Sequence, residues 1–544
     1  MQVKNDNKKY VLACAAMILL AFIQCYRTIH DLHWAYEPDF DRDIAYIRST
    51  LNGHYGQDPN YAGQYMWYNP MLFLFETLAV KLTGLPINVV VARAGAFLNL
   101  INPVLFFIMV LKLFDSRIAL AALLSFLFLA SGDLPCWGGA TYSPWLISDT
   151  FVQFLFYINV IFCYKAFTTQ KMLWFAVLGA SIGVTFLGHS APAILIILIL
   201  IFLQVQQVFK AIKNKTYPAI TTYLLQGLFT FIPFIIFAFP FLYYVWGKYH
   251  FHFLNHAILE CAPGIFERRN SVDLVKANIT FSLLIAIIGL IWFYRNYANS
   301  LVRKIITSWL LITVVMYLYE SVVPTVNRIY NVNLPDTIPA FHYFFYLKAA
   351  QSILFGLGFV FIINKLTTWL QTRNNKKFSP ALSNNIMIGA VLLYTIVYSP
   401  IYFNRVDFSL LRQQALDKSK ETERIEVYNF IVDNVPLNTV LLCNHDMSLF
   451  PVMPTGIKMV SVETYFSNPY VSYEKRESDR NDMLSYLTTA KPLSAVKLFH
   501  EYNVGMVVLP NSEYQKYKLQ PFATNDVLFT NAKFTLFKIN LAQH

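Results

Sequence analysis

Apolar residues along this chain are not scattered at helical or strand period but gathered into long runs, separated by short polar stretches. A bilayer core takes about 20 apolar residues per helix. On that length, runs near 10–28, 87–111, 117–131, 145–164, 172–188, 190–209, 219–246, 277–294, 303–323, 341–364 and 384–403 predict about eleven transmembrane helices. The stretch NPMLFLFETLAVKLTG is apolar too, but Glu76 and Lys81 interrupt it and Tyr65, Trp67 and Tyr68 precede it. That pattern predicts an amphipathic helix lying at the interface beside an aromatic belt. Past residue 404 the pattern changes. RIEVYNFIVDNVP has helical spacing, NTVLLCN reads as a buried strand, PLSAVKLFHEYNVGMVVLP as helix then strand, and FTLFKI as a last strand. The expected architecture is an all-α polytopic transmembrane bundle over 1–404, with a first loop at 27–86, followed by a soluble α/β domain over 405–544.

Composition agrees. Of 544 residues, 56% are apolar and only 14% charged, against roughly 25% charged in soluble domains. The net charge of +12 raises nucleic acid as a partner, but the bases fall in short loops between apolar runs. With the N-terminus in the cytoplasm, the inside loops carry Lys4, Lys8, Lys9; Lys112, Arg117; Lys165, Lys171; Lys210, Lys213, Lys215; Arg295, Arg303, Lys304; and Lys365, Arg373, Lys376, Lys377. Asp6 and Asp115 are the acids among them. This is the positive-inside bias; no nucleic-acid motif accompanies it. The basic MQVKNDNKKY start lacks a cleavage site, which predicts an uncleaved signal anchor. The six cysteines have no ligand spacing and give no disulfide framework. This topology sends the first loop, a short loop around Asp133, the 247–276 segment and the C-terminal domain outward. Short loops and an Asn/Lys/Ile/Phe-rich composition fit a bacterial inner membrane.

Ionisable residues within the predicted spans are costly in hydrocarbon and mark candidate function. Arg93, Asp149, Glu320 and Lys348 each fall within about two turns of the outer end of a span, ~10 Å. A polar cavity in the outer leaflet explains four such positions on one side better than a transport path, which places its coupling groups near the midplane. Immediately after the first span comes YEPDFDRD, holding Glu37, Asp39, Asp41 and Asp43. One acid caps a helix running through DIAYIRSTLNG. Four compete for the same few ångströms and raise one another's pKa unless a cation, metal or substrate relieves them. Such a cluster at a cavity mouth is a candidate general base or metal site, and Arg42 relieves part of the charge.

An acidic motif in the first outer loop, followed by DFDRDIAYIRSTLNGHYGQDPN, by MWYNP and by an interfacial helix, resembles the GT-C superfamily of membrane glycosyltransferases. Polyprenyl-phosphate-dependent mannosyl-, aminoarabinosyl- and oligosaccharyltransferases belong to it. The resemblance covers about 110 N-terminal residues at motif level and the remainder as architecture. It implies that a first-loop acid acts as catalytic base or orients the acceptor. That role falls on Asp39 or Asp41, while alignment on the acid before Pro, as in oligosaccharyltransferase subunits, selects Glu37. The WWDYG motif of those subunits is absent, which argues against protein N-glycosylation. The implied reaction moves a sugar from a polyprenyl-phosphate donor to a lipid, glycan or protein acceptor at the outer face. Cations at the outer helix ends would hold the donor phosphate, and Arg93, Lys348 and His342 are placed for it. The carboxylate cluster is compatible with Mg²⁺- or Mn²⁺-assisted and with metal-free chemistry.

Further along, His252, His256 and Glu260 fall at i, i+4 and i+8, a metal-capable spacing if helical. Glu37 and Asp43 are further acceptor or metal candidates. Arg268 and Arg269 are suited to lipid or pyrophosphate, His189 has a structural place at a turn, and FSNPYVSYEKRESDR is a polar, aromatic stretch suited to an acceptor or to a solvated surface. Two alternatives share the architecture: a ligase or polymerase moving a glycan from lipid pyrophosphate, and a lipid or solute transporter.

Overall fold

Helices at nearly every long apolar run dominate the computed structural model, which describes the chain except for residues 1, 37, 130–141, 256–278, 333, 335–340, 375–379, 405, 521, 524–525 and 540–544. Among the described residues, eight helices are long and apolar enough to cross a membrane: Lys8–Ile29, Gly95–Leu113, Ser148–Thr169, Ser190–Lys213, Pro218–Lys248, Leu301–Tyr319, Phe341–Arg373 and Leu382–Tyr402. Shorter apolar helices at Ser116–Phe128, Met172–Gly188 and Phe281–Asn296 occupy the other three expected spans. The chain is a polytopic membrane protein. A helix forms over the stretch expected to lie at the interface, Met71–Thr83, and ends at Gly84, whose φ of 69° lets its N–H bond back to the Val80 carbonyl. The following helix, Ile87–Arg93, leaves at 115° to it.

Backbone contacts divide the chain into two units. The first comprises Met1–His30, Arg93–Phe239 and Gly264–Leu410. It is held by close helix packing of the kind small residues permit in membranes. A Cβ on Gly289 would lie 1.9 Å from the Leu354 carbonyl oxygen, and one on Gly358 2.0 Å from that of Ile285. Helix Phe281–Asn296 thus packs backbone to backbone on helix Phe341–Asn374. Buried amides fix the turn before the Ser148–Thr169 span. Asn99 Nδ2 donates to the Ser143 and Trp145 carbonyls at 3.0 and 2.9 Å. Asn102 Nδ2 donates to Thr150 O at 2.7 Å and Asn102 Oδ1 accepts from Phe154 N at 2.8 Å.

The second unit joins Asp31–Ala92 and Pro240–Pro263 to Leu411–His544. Its centre is a five-stranded sheet in the order β2-β1-β3-β5-β4, with β1 Val440–Leu442, β2 Lys458–Met459, β3 Val504–Pro510, β4 Val527–Thr530 and β5 Phe534–Lys538. β1 runs parallel to β2 and β3, and β5 antiparallel to β3 and β4. Side chains alternate across the strands. Leu441, Val508 and Leu536 pack on helix Thr422–Asn434 through Val427 and Ile431, while Leu442, Val507 and Phe537 pack on Met483, Leu487 and Tyr517 opposite. The first loop is built onto this layer: Tyr61 lies in the core with Val427 and Met459, and Met459 N donates to Asn60 O at 2.7 Å. The expected α/β pattern is present. FSNPYVSYEKRESDR takes a different form from an open surface stretch, since from Tyr473 it opens the long helix Tyr473–Thr489.

Candidate active site

The acidic motif folds into the helix Pro38–Leu51, with Pro38 at the first helical position, where its missing N–H costs nothing. At about 100° per residue, Asp39 and Asp43 share a face, Arg42 lies beside them and Asp41 points roughly the opposite way. The contacts follow that geometry. Asp41, with its side chain 3% exposed, takes two hydrogen bonds from Lys418 Nζ, at 2.7 Å to Oδ1 and 2.8 Å to Oδ2. The Lys418 ammonium also lies 4.5 Å from the Phe450 ring centre and 5.6 Å from that of Trp34.

On the other face, Arg42 Nη1 donates to Asp39 Oδ1 at 2.5 Å, while Nε and Nη2 both donate to Asp43 Oδ1, at 3.0 and 2.9 Å. The guanidinium lies over the Tyr68 ring, 3.5 Å from its centre. Asp43 is 1% exposed, whereas the Asp39 side chain is 31% exposed. Burial pushes the Asp43 carboxyl up to about 6, against the pull of Arg42 and with the push of Asp39. Glu76, from the helix Met71–Thr83, is buried next to this group and interacts electrostatically with Asp43 and Arg42. Tyr46, a turn further along, stacks on Phe73 of that helix at 4.7 Å.

The rest of the loop is fixed by its own polar contacts. Asp58 is fully buried and accepts from Asn60 N at 2.8 Å, Tyr61 N at 3.2 Å and Asn468 Nδ2 at 2.9 Å. Lys458 Nζ donates to the Asp58 carbonyl at 2.6 Å, and burial lowers the Lys458 pKa. Tyr249 OH accepts from Tyr65 N at 2.7 Å and donates to Tyr65 O at 2.8 Å. A cleft of about 340 Å³ lies beside Val440 of β1 and Met459 of β2. Ser472, Lys475 and Arg476 of the polar-aromatic stretch line it together with Ala62, Glu501 and Tyr502.

The other sequence candidates lie elsewhere. Arg93 ends the helix Ile87–Arg93. Lys348, 3% exposed on helix Phe341–Asn374, donates to the Leu129 carbonyl at 3.3 Å. His342, at the start of that helix, stacks on Phe341 at 4.1 Å and on His189 at 4.7 Å. His189 itself caps the next span, its Nδ1 accepting from Ala191 N at 3.1 Å. The sequence placed His189 at a turn; its pairing with His342 joins positions far apart in the chain and has no sequence signal. Asp149 is buried in the short helix Ser148–Phe151. His252 is exposed and not helical, because helix geometry ends at Lys248 and His250 and Phe251 take φ of 51° and 53°. The helical face proposed for it with His256 and Glu260 is therefore not formed at its first member. Glu37, His256, Glu260, Arg268, Arg269 and the Glu320 side chain lie outside the described residues.

A divalent ion does not fit the first-loop cluster among the described residues. Its acids diverge onto two cations, Asp41 onto Lys418 and Asp39 and Asp43 onto Arg42, rather than toward a common point. No group of three described His, Cys, Asp or Glu side chains has metal-holding geometry.

The fold is similar to that of solved GT-C membrane enzymes. The chain matches the ArnT protein of Cupriavidus metallidurans, solved with undecaprenyl phosphate, with a TM-score of 0.55 at 13% identity over 96% of this chain and 97% of that one. It matches the oligosaccharyltransferase of Archaeoglobus fulgidus with a TM-score of 0.53 at 12% identity over 94% of this chain and 71% of that one. The same archaeal enzyme tethered to an acceptor peptide gives 0.51 at 12% identity over 93% and 70%. No protein-family model matches the sequence, and no curated protein matches it. At these identities the likeness is one of fold: this chain has a GT-C-like fold, a transmembrane helical bundle with a C-terminal α/β sheet layer.

Proposed function

We propose that the chain is a membrane glycosyltransferase of GT-C type. It moves a sugar from a polyprenyl-phosphate carrier to a lipid, glycan or protein hydroxyl at the outer face of a bacterial inner membrane. Asp39 is the carboxylate that takes the acceptor's proton. The observation that carries this choice is exposure combined with engagement. Asp41 and Asp43 are buried against cations, while Asp39 is 31% exposed, is held by one oxygen, and has an Oδ2 to which no described residue donates. That oxygen is free to accept a proton.

In the reaction the acceptor oxygen bonds to the anomeric carbon as the bond from that carbon to the phosphate oxygen breaks. The electron pair leaves on the polyprenyl phosphate, and the hydroxyl proton passes to Asp39 Oδ2. Charge on the departing phosphate calls for cations; Arg93, Lys348 and His342 are proposed for that task. Undecaprenyl phosphate bound to the structurally similar ArnT supports the donor class.

Mass spectrometry of lipid extracts from a deletion strain, complemented with wild type or Asp39→Asn, tests this. Accumulation of a polyprenyl-phosphate sugar that wild type clears and a normally expressed Asp39→Asn does not is the expected result. A lipid profile unchanged by the deletion, or full clearance by Asp39→Asn, refutes the assignment.

A further inference from the structure

Arg42 is held on three sides. Its Nη1 engages Asp39, its Nε and Nη2 converge on one oxygen of Asp43, and Tyr68 covers its face. The side chain is 4% exposed, so solvent does not compete for the guanidinium. Behind Asp43 lies the buried Glu76, and among the described residues neither Glu76 oxygen nor Asp43 Oδ2 receives a hydrogen bond. The inner side of Arg42 is thus a fixed, buried cradle, whereas the outer side grips the part-exposed Asp39.

We propose that Arg42 is the positioning residue for Asp39: it clamps Oδ1 and presents Oδ2 to the acceptor hydroxyl, with Asp43 and Tyr68 fixing the angle of the clamp. The inference rests on Asp39 as the proton acceptor. A planar fork that bonds two acids in its plane and stacks on a ring has no lysine equivalent, because an ammonium is a point charge with no stacking face. The one-residue step from Arg42 to Asp43 and the three-residue step back to Asp39 place both acids on the same fork. Misplacing a reacting group by about 1 Å costs on the order of 100-fold in rate, and loss of the clamp frees Asp39 to rotate by at least that much.

The test uses the full chain reconstituted in vesicles. The substrate is the polyprenyl-phosphate sugar that the deletion strain accumulates, in the extract that contains its acceptor. Arg42→Ala is expected to lower the turnover rate about 100-fold with little change in KM. Millimolar guanidinium chloride is expected to recover part of that rate, because the free cation fits the cradle left by the side chain. The same concentration of sodium chloride or urea should recover none, a distinction that a merely structural role does not produce. Arg42→Lys keeps the charge and most of the volume; it is expected to lose less rate than Arg42→Ala but to stay clearly below wild type, and to show no rescue. A wild-type rate for either variant overturns the clamp. So does failure of guanidinium to raise the rate of an Arg42→Ala protein whose Tm matches wild type. If Arg42→Ala does not accumulate, Arg42→Lys decides the matter. Asp39→Asn run alongside separates the two ideas, since its full activity removes the proton-acceptor assignment whatever Arg42 does.

Discussion

Replacing Lys418 by Met should unfold the unit that carries the acidic motif far more than a typical surface change does. Asp41 and Lys418 are 3% and 4% exposed, and both carboxylate oxygens lie within 2.8 Å of Nζ. Met keeps much of the lysine's apolar volume but removes the cation, with its place over the Phe450 and Trp34 rings, leaving a buried carboxylate uncompensated. Breaking a buried pair in this way costs about 3–5 kcal/mol. At about 2–4 °C per kcal/mol for a larger domain, Tm should fall by the order of 10 °C. Asp41→Asn alone should cost less, because the amide oxygen still accepts from Nζ. In the double variant Asp41→Asn/Lys418→Met no charge is buried, so it should recover much of the loss, with a coupling energy of about 2–3 kcal/mol. Cys443, buried at the end of β1 in the same unit, provides the assay: its thiol meets a thiol-reactive fluorophore only on unfolding, followed in detergent against temperature. A Lys418→Met protein with wild-type Tm refutes the reasoning. A double variant that is folded and stable yet inactive returns Asp41 to the chemistry, whereas retained transfer leaves it a structural acid.

Other expectations follow from separate parts of the molecule. Burial, with the nearby Glu477 adding repulsion, pushes Glu463 up to about 7 from its ordinary 4.5. The folded chain therefore holds a proton that the unfolded chain has released across that window. Stability should fall as pH rises from about 5 to about 8, and Glu463→Gln should flatten the slope of Tm against pH. Glu76→Met removes two buried oxygens to which no described residue donates, and should raise Tm with a gain of about 1–2 kcal/mol; a fall in Tm would show that the carboxyl has a partner. Gly358→Val puts a side chain where a Cβ already meets the Ile285 carbonyl at 2.0 Å. It should split the helix pair Phe281–Asn296 and Phe341–Asn374, read as loss of monodisperse protein in detergent, whereas Gly389→Ala, with nothing within 4 Å of its Cβ, should be silent.

The transmembrane part of this fold is legible because its physics is local. A run of apolar residues must satisfy its own backbone as a helix in lipid, so length and composition locate each span without knowledge of its neighbours. The helix at Met71–Thr83 was readable for the same reason, as were the strands Val440–Leu442 and Val504–Pro510, whose continuous apolar stretches mark burial on both faces. Two-residue β2 and edge strand β4 were not readable, since their identity comes from the strand they pair with. Within the acidic motif, helical spacing alone separates Asp41 from Asp39 and Asp43 and sets Arg42 beside the latter pair. The partner of Asp41 is 377 residues away, and no pattern in either segment announces it.

That long-range contact has company, and together the contacts define what the C-terminal residues contribute. Asp31 is bonded through both oxygens to Arg412 at 2.6 and 2.7 Å. Trp34 sits edge-on to Tyr428 and Phe450 at 4.9 and 5.0 Å, and Arg48 Nη2 reaches the Val432 carbonyl at 2.5 Å. Asn60 and Asp58 are joined to Met459 and Asn468. The contacts enter the first loop before, within and after the helix Pro38–Leu51, so no other rotation of that helix satisfies all of them. Its azimuth is therefore set, and with it the choice of which acid is buried on Lys418 and which is left part-exposed. Four acids in one motif look redundant only while they are equivalent. Once residues 411–544 fix the helix, Asp41 and Asp43 become counter-ions of buried cations, and Asp39 is left part-exposed.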